Sequence, residues 1–186
     1  MGKLPQAQDH RCLHPDEAHR LIEAAGLRGR HPFRDKFLVG LIYRHCMRSS
    51  EAVNLRWSEI DLAAGILHIA SVRGGDADRT HRLADDELRG LHRLREQATG
   101  AHVFETSRGI PLTVEALQSI VRMAGKLANL DVRSFPDMLR RSAAFALAHD
   151  GVEERLVQAF LGQRDVRRAT PDSAIQPEQL AAVRVR

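Results

Sequence analysis

The 186-residue sequence is 43% hydrophobic, carries a formal net charge of +4 and draws most of its 28 basic side chains from arginine, which suffices for one well-filled domain. Its longest apolar run, Phe37 to Tyr43, is far too short to span a bilayer, and its first residues lack the apolar core of a secretory signal, so we expect a cytoplasmic protein. Two isolated cysteines and ten histidines without paired spacing argue against a disulfide framework, a metal site or a cofactor.

Two explanations for the excess of arginine stay open. A GC-rich genome favours arginine codons whatever the protein does. Alternatively, the side chains contact phosphate groups, because the guanidinium fork matches phosphate oxygens bidentately. Composition alone does not separate a genomic bias from a nucleic-acid-binding role.

The first part of the chain predicts three helices. Residues 1–13 are polar and irregular and are expected to form a flexible lead. His14-Pro15-Asp16-Glu17 begins the first helix, with proline at its first position and acids at the positive end of its dipole, and Gly26 ends it. A second helix is predicted over about residues 31–46. A third is predicted over Ser49 to Leu55, with Ser49 or Ser50 as its cap.

The spacing of apolar residues then changes and predicts a hairpin. Ile66-Leu67-His68-Ile69 is typical of a strand, Arg73-Gly74-Gly75-Asp76 of a turn, and Thr80 to Leu83 of the returning strand. The elements predicted after it are a helix at 85–97, a short strand at Val103-Phe104, helices at 113–129, 136–149 and 152–161, and a last helix starting at Pro177. We therefore expect one mainly α domain with a small antiparallel β-sheet (α+β) over residues 14–172, followed by a tail over 173–186.

Two motifs carry arginines in a distinctive setting. The first runs from Cys46 to Trp57 and the second from Pro136 to Leu147. The first is similar to the Gly-Leu-Arg-x-Ser-Glu-x-x-x-Leu-x-Trp box of the tyrosine recombinases, or phage integrases, and the second resembles their His-x-x-Arg box. The sequence of the second motif is most similar to that of the fimbrial phase-switch (Fim-type) invertases. The resemblance covers residues 13–172 and implies the fold of the tyrosine recombinase catalytic domain.

The resemblance also implies roles for Arg48, Glu51 and Arg140. The two arginines match the catalytic pair that holds the nonbridging oxygens of the scissile phosphate in this family, and Glu51 matches the acid that accompanies the first. Forked arginines suit that chemistry because they stabilise charge on developing oxyanions. A purely structural alternative stays open, in which Arg48 only caps a helix or pairs with Glu51 on the next turn.

Four other family positions carry different residues in this chain. The hairpin lysine, which protonates the leaving 5′-oxygen in such enzymes, aligns with Arg73, and arginine is a poor proton donor near neutral pH. The histidine of the second box aligns with Asp137, and the histidine or tryptophan of a third box aligns with Gln163. The family places its nucleophilic tyrosine a fixed distance after that third-box residue, and the same count from Gln163 reaches Asp172. The sole tyrosine, Tyr43, lies on an apolar helix and is interpreted as a core residue.

The resemblance therefore implies a degenerate active site with no intact catalytic set, whose vestigial positions are Arg48, Arg73, Asp137, Arg140, Gln163 and Asp172. The arginines would still suit a DNA backbone. The predicted phosphate-binding residues are Arg48, Arg73, Arg140, Arg141, Arg164, Arg167 and Arg168. Alternatively, Arg164, Arg167 and Arg168 belong to a solvent-exposed helix face that is interrupted by Asp165.

These observations favour a catalytically inactive protein that binds double-stranded DNA as a regulator or accessory factor of recombination or transcription, at the bacterial nucleoid. One alternative is an active site-specific recombinase or DNA invertase with a rearranged site. Another is a protein-interaction module that has lost DNA binding, which Asp137 and Asp172 favour. The apolar tail from Pro177 to Val185 is expected either to dock on a second copy or a related active recombinase, or to stay loose.

Overall fold

The computed structural model describes residues 12–71, 78–163 and 177–185. Its α-helices are α1 (Pro15–Ala25), α2 (Pro32–Arg44), α3 (Ser49–Asn54), α4 (Asp85–Gln97), α5 (Val114–Leu127), α6 (Pro136–His149), α7 (Glu154–Phe160) and α8 (Pro177–Ala182). Its strands are β1 (Ile60–Asp61), β2 (Ile66–Ile69) and β3 (Arg79–Arg82), with β2 in the middle of an antiparallel sheet. The predicted mainly α fold with a small antiparallel sheet is confirmed. None of the helices in these ranges is long and apolar enough to cross a membrane.

Local sequence signals set the starts of two long helices as predicted. α1 begins at Pro15, and the carboxylate of Glu17 accepts a hydrogen bond from the backbone N–H of His14 at 2.9 Å. α5 begins after Thr113, whose hydroxyl accepts from the N–H of Ala116 at 3.2 Å. Such bonds satisfy N–H groups that have no partner inside the helix, and each contributes about 1 kcal/mol.

The predicted cap of α3 is wrong. The residue that precedes the helix is Arg48, and Ser49 already belongs to the first turn. The capping bond runs from the backbone N–H of Arg48 to Oε2 of Glu51 at 2.7 Å. The carboxylate of Glu51, at the third helical position, thus accepts the N–H of the residue before the helix, which is one of the two bonds of a capping box.

α2 forms the centre of the core. Its Leu38, Ile42 and Tyr43 are at most 1% exposed, and the helix packs against α1, α3, α4 and α6. Burying one large aliphatic side chain contributes about 1.5–3 kcal/mol relative to leaving it in water. Burial also raises the pKa of Tyr43 to about 12, and Cys46 and Asp150 add to the rise. The interpretation of Tyr43 as a core residue is confirmed.

β3 places alternate side chains on opposite sides of the sheet. Arg79 and His81 are buried, whereas Thr80 and Arg82 are exposed. Charged side chains are rarely buried without a partner, so Arg79 requires an internal counter-ion. The turn predicted at 73–76 lies outside the residues that the structure describes.

The short strand predicted at Val103-Phe104 is wrong. Isolated bridges flank these residues on either side, and Val103 donates its N–H to the carbonyl of Leu55 at 2.9 Å. Each bridge pairs single residues and does not extend into a ladder. The segment still contributes to the core, because Phe104 is fully buried.

Three buried polar side chains join α2, β3 and α4. His45 lies 3.2 Å from His81 (Nδ1 to Nδ1) and 3.1 Å from Glu87 (Nε2 to Oε1). Burial lowers the pKa of His81 well below its usual value, and His45 and Arg79 lower it further. Burial by itself raises the pKa of Glu87, but the hydrogen bond and charge of His45 bring it down to about 2. Glu87 is therefore an ionised residue that holds three elements together.

The described part of the tail packs on its own chain. α8 contacts α7 and β3, and the two valines that follow it, Val183 and Val185, are 6% and 7% exposed. Both belong to the same hydrophobic core as the central helices. The apolar residues of the tail thus cover the molecule's own surface in this structure.

Candidate nucleic-acid interface

The turn between α2 and α3 brings the two arginine motifs together. Cys46 has a φ of 51°, a left-handed conformation that costs about 1–2 kcal/mol for a residue with a side chain. The recombinase box that this motif resembles has glycine here, which adopts that conformation freely. The carbonyl of Cys46 accepts a hydrogen bond from Arg140, 94 residues further along the chain. The first motif is therefore tied directly to the second.

Glu51 and Arg79 form a buried ion pair at the centre of the site. Arg79 donates from Nη1 to Oε1 at 3.2 Å and from Nη2 to Oε2 at 2.7 Å, and the two side chains are 2% and 1% exposed. Both carboxylate oxygens accept from one guanidinium fork, the geometry that makes arginine–carboxylate pairs strong. Removing one partner of such a buried pair typically costs about 3–5 kcal/mol.

Arg140, from α6, is the second buried arginine. It donates to the carbonyl of Leu161 at 2.6 Å, and the same carbonyl accepts from Arg79 at 3.2 Å. Its Nη1 lies 3.9 Å from Oε2 of Glu51. Burial, together with repulsion from Arg79 and Arg48, lowers the pKa of Arg140 to about 10. Arg140 therefore keeps its charge at neutral pH although its environment opposes it.

Arg48 is the most exposed of the three arginines. Its side chain is 29% exposed, and its Nε lies 4.0 Å from Oε1 of Glu51. We call Arg48, Arg79 and Arg140 with Glu51 the arginine cluster. Counted over these four described residues, three guanidinium groups around one carboxylate leave two positive charges in excess. Excess positive charge in a partly buried site favours an anion, and phosphate oxygens match the guanidinium fork.

Three further predicted residues lie around the cluster. Asp137 is exposed in the first turn of α6, where a negative charge is favourable to the helix dipole. Arg141 lies over the exposed ring of Phe135, with 5.4 Å between the guanidinium carbon and the ring centre, within cation–π range. Gln163 is exposed two residues after Leu161, the residue whose carbonyl the two buried arginines share.

Part of the predicted site lies outside the described residues. These predictions concern Arg73, Arg164, Arg167, Arg168 and Asp172. Among the predicted phosphate-binding residues that are described, Arg48 and Arg140 share the cluster, whereas Arg141 contacts Phe135. In the described part of the chain, no group of three His, Cys, Asp or Glu residues is arranged to hold a metal ion.

Arg79 belongs to the cluster but not to the predicted site. The sequence interpretation began the returning strand at Thr80 and gave Arg79 no role. The available signal is the two-residue period of β3, which puts Arg79 and His81 on one face and so places a charge on the buried side. Its partner, Glu51, lies 28 residues earlier, a pairing that no local pattern indicates.

Comparisons with known proteins identify the family of the chain. The profile of the phage integrase family matches residues 11–170. The type 1 fimbriae regulatory protein FimB of Escherichia coli (strain K12) is 34% identical over 157 residues, which are 81% of this chain and 78% of FimB.

Solved structures of recombinases share the fold. The crystal structure of XerA recombinase superposes with a TM-score of 0.73 at 24% identity, over 97% of this chain and 64% of XerA. The XerH site-specific recombinase bound to its difH substrate, before cleavage, superposes with a TM-score of 0.71 at 25% identity. That superposition covers 88% of this chain and 48% of XerH, so the chain spans less than two thirds of either recombinase.

Proposed function

Because the chain belongs to the phage integrase family, we propose that it binds double-stranded DNA through the arginine cluster and does not cleave it. In this proposal the protein is a regulator or accessory factor of DNA recombination or transcription. FimB is a regulatory protein by name, and solved structures show XerH bound to its difH substrate and lambda integrase bound to DNA. Those descriptions belong to the relatives and supply the class of ligand to test.

The observation that carries the proposal is the excess of positive charge around Glu51. Arg48 is 29% exposed and gives the cluster a cation on the solvent side, where a phosphate can approach it. A hydrogen bond to a charged group contributes about 1.5–3 kcal/mol. Contacts with the DNA backbone fix position without reading sequence, so the cluster supports DNA binding without implying a particular target.

The lack of an accessible tyrosine supports the second half of the proposal. Tyr43 is the one tyrosine among the 186 residues, and it is 1% exposed within the core. The family's nucleophile position falls on Asp172 by count, and Asp137 and Gln163 stand where the family keeps proton-carrying side chains. Loss of the nucleophile from a cooperating catalytic set costs about a millionfold in rate.

Assembly through the tail is a further part of the proposal. Family members commonly dock a C-terminal segment on a neighbouring protomer, and here Val183 and Val185 are the apolar residues that such a segment would use. In the structure they pack on their own chain. The partner we propose is a second copy or a related active recombinase on the same DNA.

A titration of fluorescently labelled duplex DNA, repeated between about 50 and 200 mM salt, tests the proposal. We expect affinity to fall with salt, and Arg48→Ala to weaken binding about tenfold and to reduce the salt slope by about 0.9. Arg48 is a better target than Arg140, because Arg140 also holds two backbone carbonyls inside the fold.

Arg56→Ala is the matched control for Arg48→Ala. Arg56 also precedes a helical turn, and Glu59 accepts its backbone N–H at 2.7 Å, as Glu51 does for Arg48. Each variant therefore removes one arginine side chain from the same kind of helix start. The proposal is contradicted if the wild-type protein binds no duplex at the lowest salt, or if Arg48→Ala binds as tightly as Arg56→Ala.

A further inference from the structure

Arg79 meets the other two arginines through shared acceptors. It fills both oxygens of Glu51 and shares the carbonyl of Leu161 with Arg140. Its side chain is 2% exposed, so it is not placed to touch DNA itself. The other two guanidinium groups lie 3.9 and 4.0 Å from Glu51, beyond the 2.7–2.9 Å usual for a charge-assisted hydrogen bond.

We propose that Arg79 is a positioning residue for the phosphate site: by occupying Glu51, it keeps that carboxylate from pairing closely with Arg48 and Arg140. This inference rests on the proposed binding of DNA by the cluster. It assigns to a buried strand residue the task of neutralising Glu51, the acid that lies beside Arg48 and Arg140.

The physical argument follows from the cost of a buried charge. A carboxylate that is 1% exposed requires a partner. Without Arg79, the nearest cations to Glu51 among the residues that the structure describes are Nε of Arg48 and Nη1 of Arg140. A movement of about 1 Å would bring either into a close ion pair. That ion pair would neutralise the positive charge of an arginine that would otherwise bind phosphate, and it would turn the guanidinium group away from the DNA.

The inference predicts that a second substitution restores binding. Arg79→Met is expected to weaken duplex DNA binding about tenfold and to reduce the salt slope by about 0.9, as if one phosphate contact were lost. Arg79→Met combined with Glu51→Gln is expected to bind within about threefold of wild type, because the carboxylate that captures the arginines is gone. A glutamine oxygen can still accept the capping N–H of Arg48.

The same titration with a labelled duplex tests the positioning role of Arg79, and circular dichroism checks that each variant is folded. Arg122→Met, on the exposed side of α5, is the control for losing one arginine charge and should leave the slope unchanged. Arg79→Lys keeps a cation beside Glu51 and should bind within about threefold of wild type. If Arg79→Met does not fold, Arg79→Lys and the double variant carry the test.

The outcomes separate this inference from the proposal beneath it. Absence of duplex binding by the wild-type protein overturns both. Weak binding by Arg48→Ala with unchanged binding by Arg79→Met overturns the positioning role alone, as does a folded double variant that binds no better than Arg79→Met. A folded Arg79→Lys that loses binding tenfold also contradicts the role, because it retains the neutralising charge.

Discussion

Glu51 has two structural roles at the level of single residues. Its Oε2 accepts the backbone N–H of Arg48 at 2.7 Å, which caps α3, and both of its oxygens accept from the buried fork of Arg79. The cap is local, whereas the ion pair spans 28 residues. One carboxylate therefore couples the start of a helix to the sheet and sets the charge of the site.

Replacing Glu51 with alanine is expected to destabilise the fold by about 3–5 kcal/mol, because Arg79 would stay buried without its counter-ion. Urea denaturation followed by circular dichroism measures the change in the free energy of unfolding. Glu59→Ala is the matched control: Glu59 makes the equivalent bond to the N–H of Arg56 but is only half-buried, and about 1 kcal/mol is expected. Equal losses in the two variants would be incompatible with a dominant ion pair.

Residue identities within a motif were predictable, and their partners were not. Arg48, Glu51 and Arg140 were identified from the sequences of two motifs, and the structure places each arginine within 4.0 Å of a carboxylate oxygen of Glu51. The burial of Arg140 and the participation of Arg79 depend on contacts with Leu161 and Glu51 that are distant in sequence. A sequence motif gives the types of residues and their spacing. It does not show which side chain donates to which acceptor in the folded protein.

At the level of elements, α2 and α4 meet at a glycine. A Cβ atom on Gly90 would lie 2.2 Å from Cε2 of Phe37, so the Phe37 ring would have to shift from its contacts with Phe33 and Phe104. Gly90→Ala is therefore expected to lower the free energy of unfolding by about 1–3 kcal/mol, despite the roughly 1 kcal/mol that alanine gains over glycine in a helix.

Gly40→Ala provides the comparison within the partner helix. A Cβ atom there would lie 3.6 Å from Cγ2 of Ile22, an ordinary van der Waals contact. This variant should be unchanged or more stable by up to about 1 kcal/mol. Thermal unfolding of both variants checks the pair, and the assigned packing fails if Gly90→Ala melts at or above the temperature of Gly40→Ala.

Helices were easier to predict than strands for a physical reason. α4 has the predicted bounds, and two other starts follow local signals: a threonine caps α5, and a proline is the first residue of α6. Val103-Phe104 was predicted as a short strand. The isolated bridges on either side of it pair with residues that the tertiary fold brings close. Two apolar residues in the sequence give no information about such partners.

At the level of the whole molecule, the arginine cluster draws its parts from distant elements. The turn after α2, helix α3, strand β3 and helix α6 each contribute a side chain, and the end of α7 supplies the carbonyl that Arg79 and Arg140 share. The buried group of His45, His81 and Glu87 lies next to the arginine cluster, since His45 precedes Cys46 and His81 shares a face of β3 with Arg79. The core therefore holds the cluster preorganised, which would lower the cost of binding a phosphate in the proposed DNA complex.

The central claim is that this protein holds a DNA phosphate without attacking it. The most direct measurement starts from duplexes that the protein selects out of a random pool, prepared with a nick so that any cleavage traps the cut strand. We predict a complex in native gels and free protein after denaturation. A protein–DNA adduct that survives denaturation, at any side chain, would contradict the account.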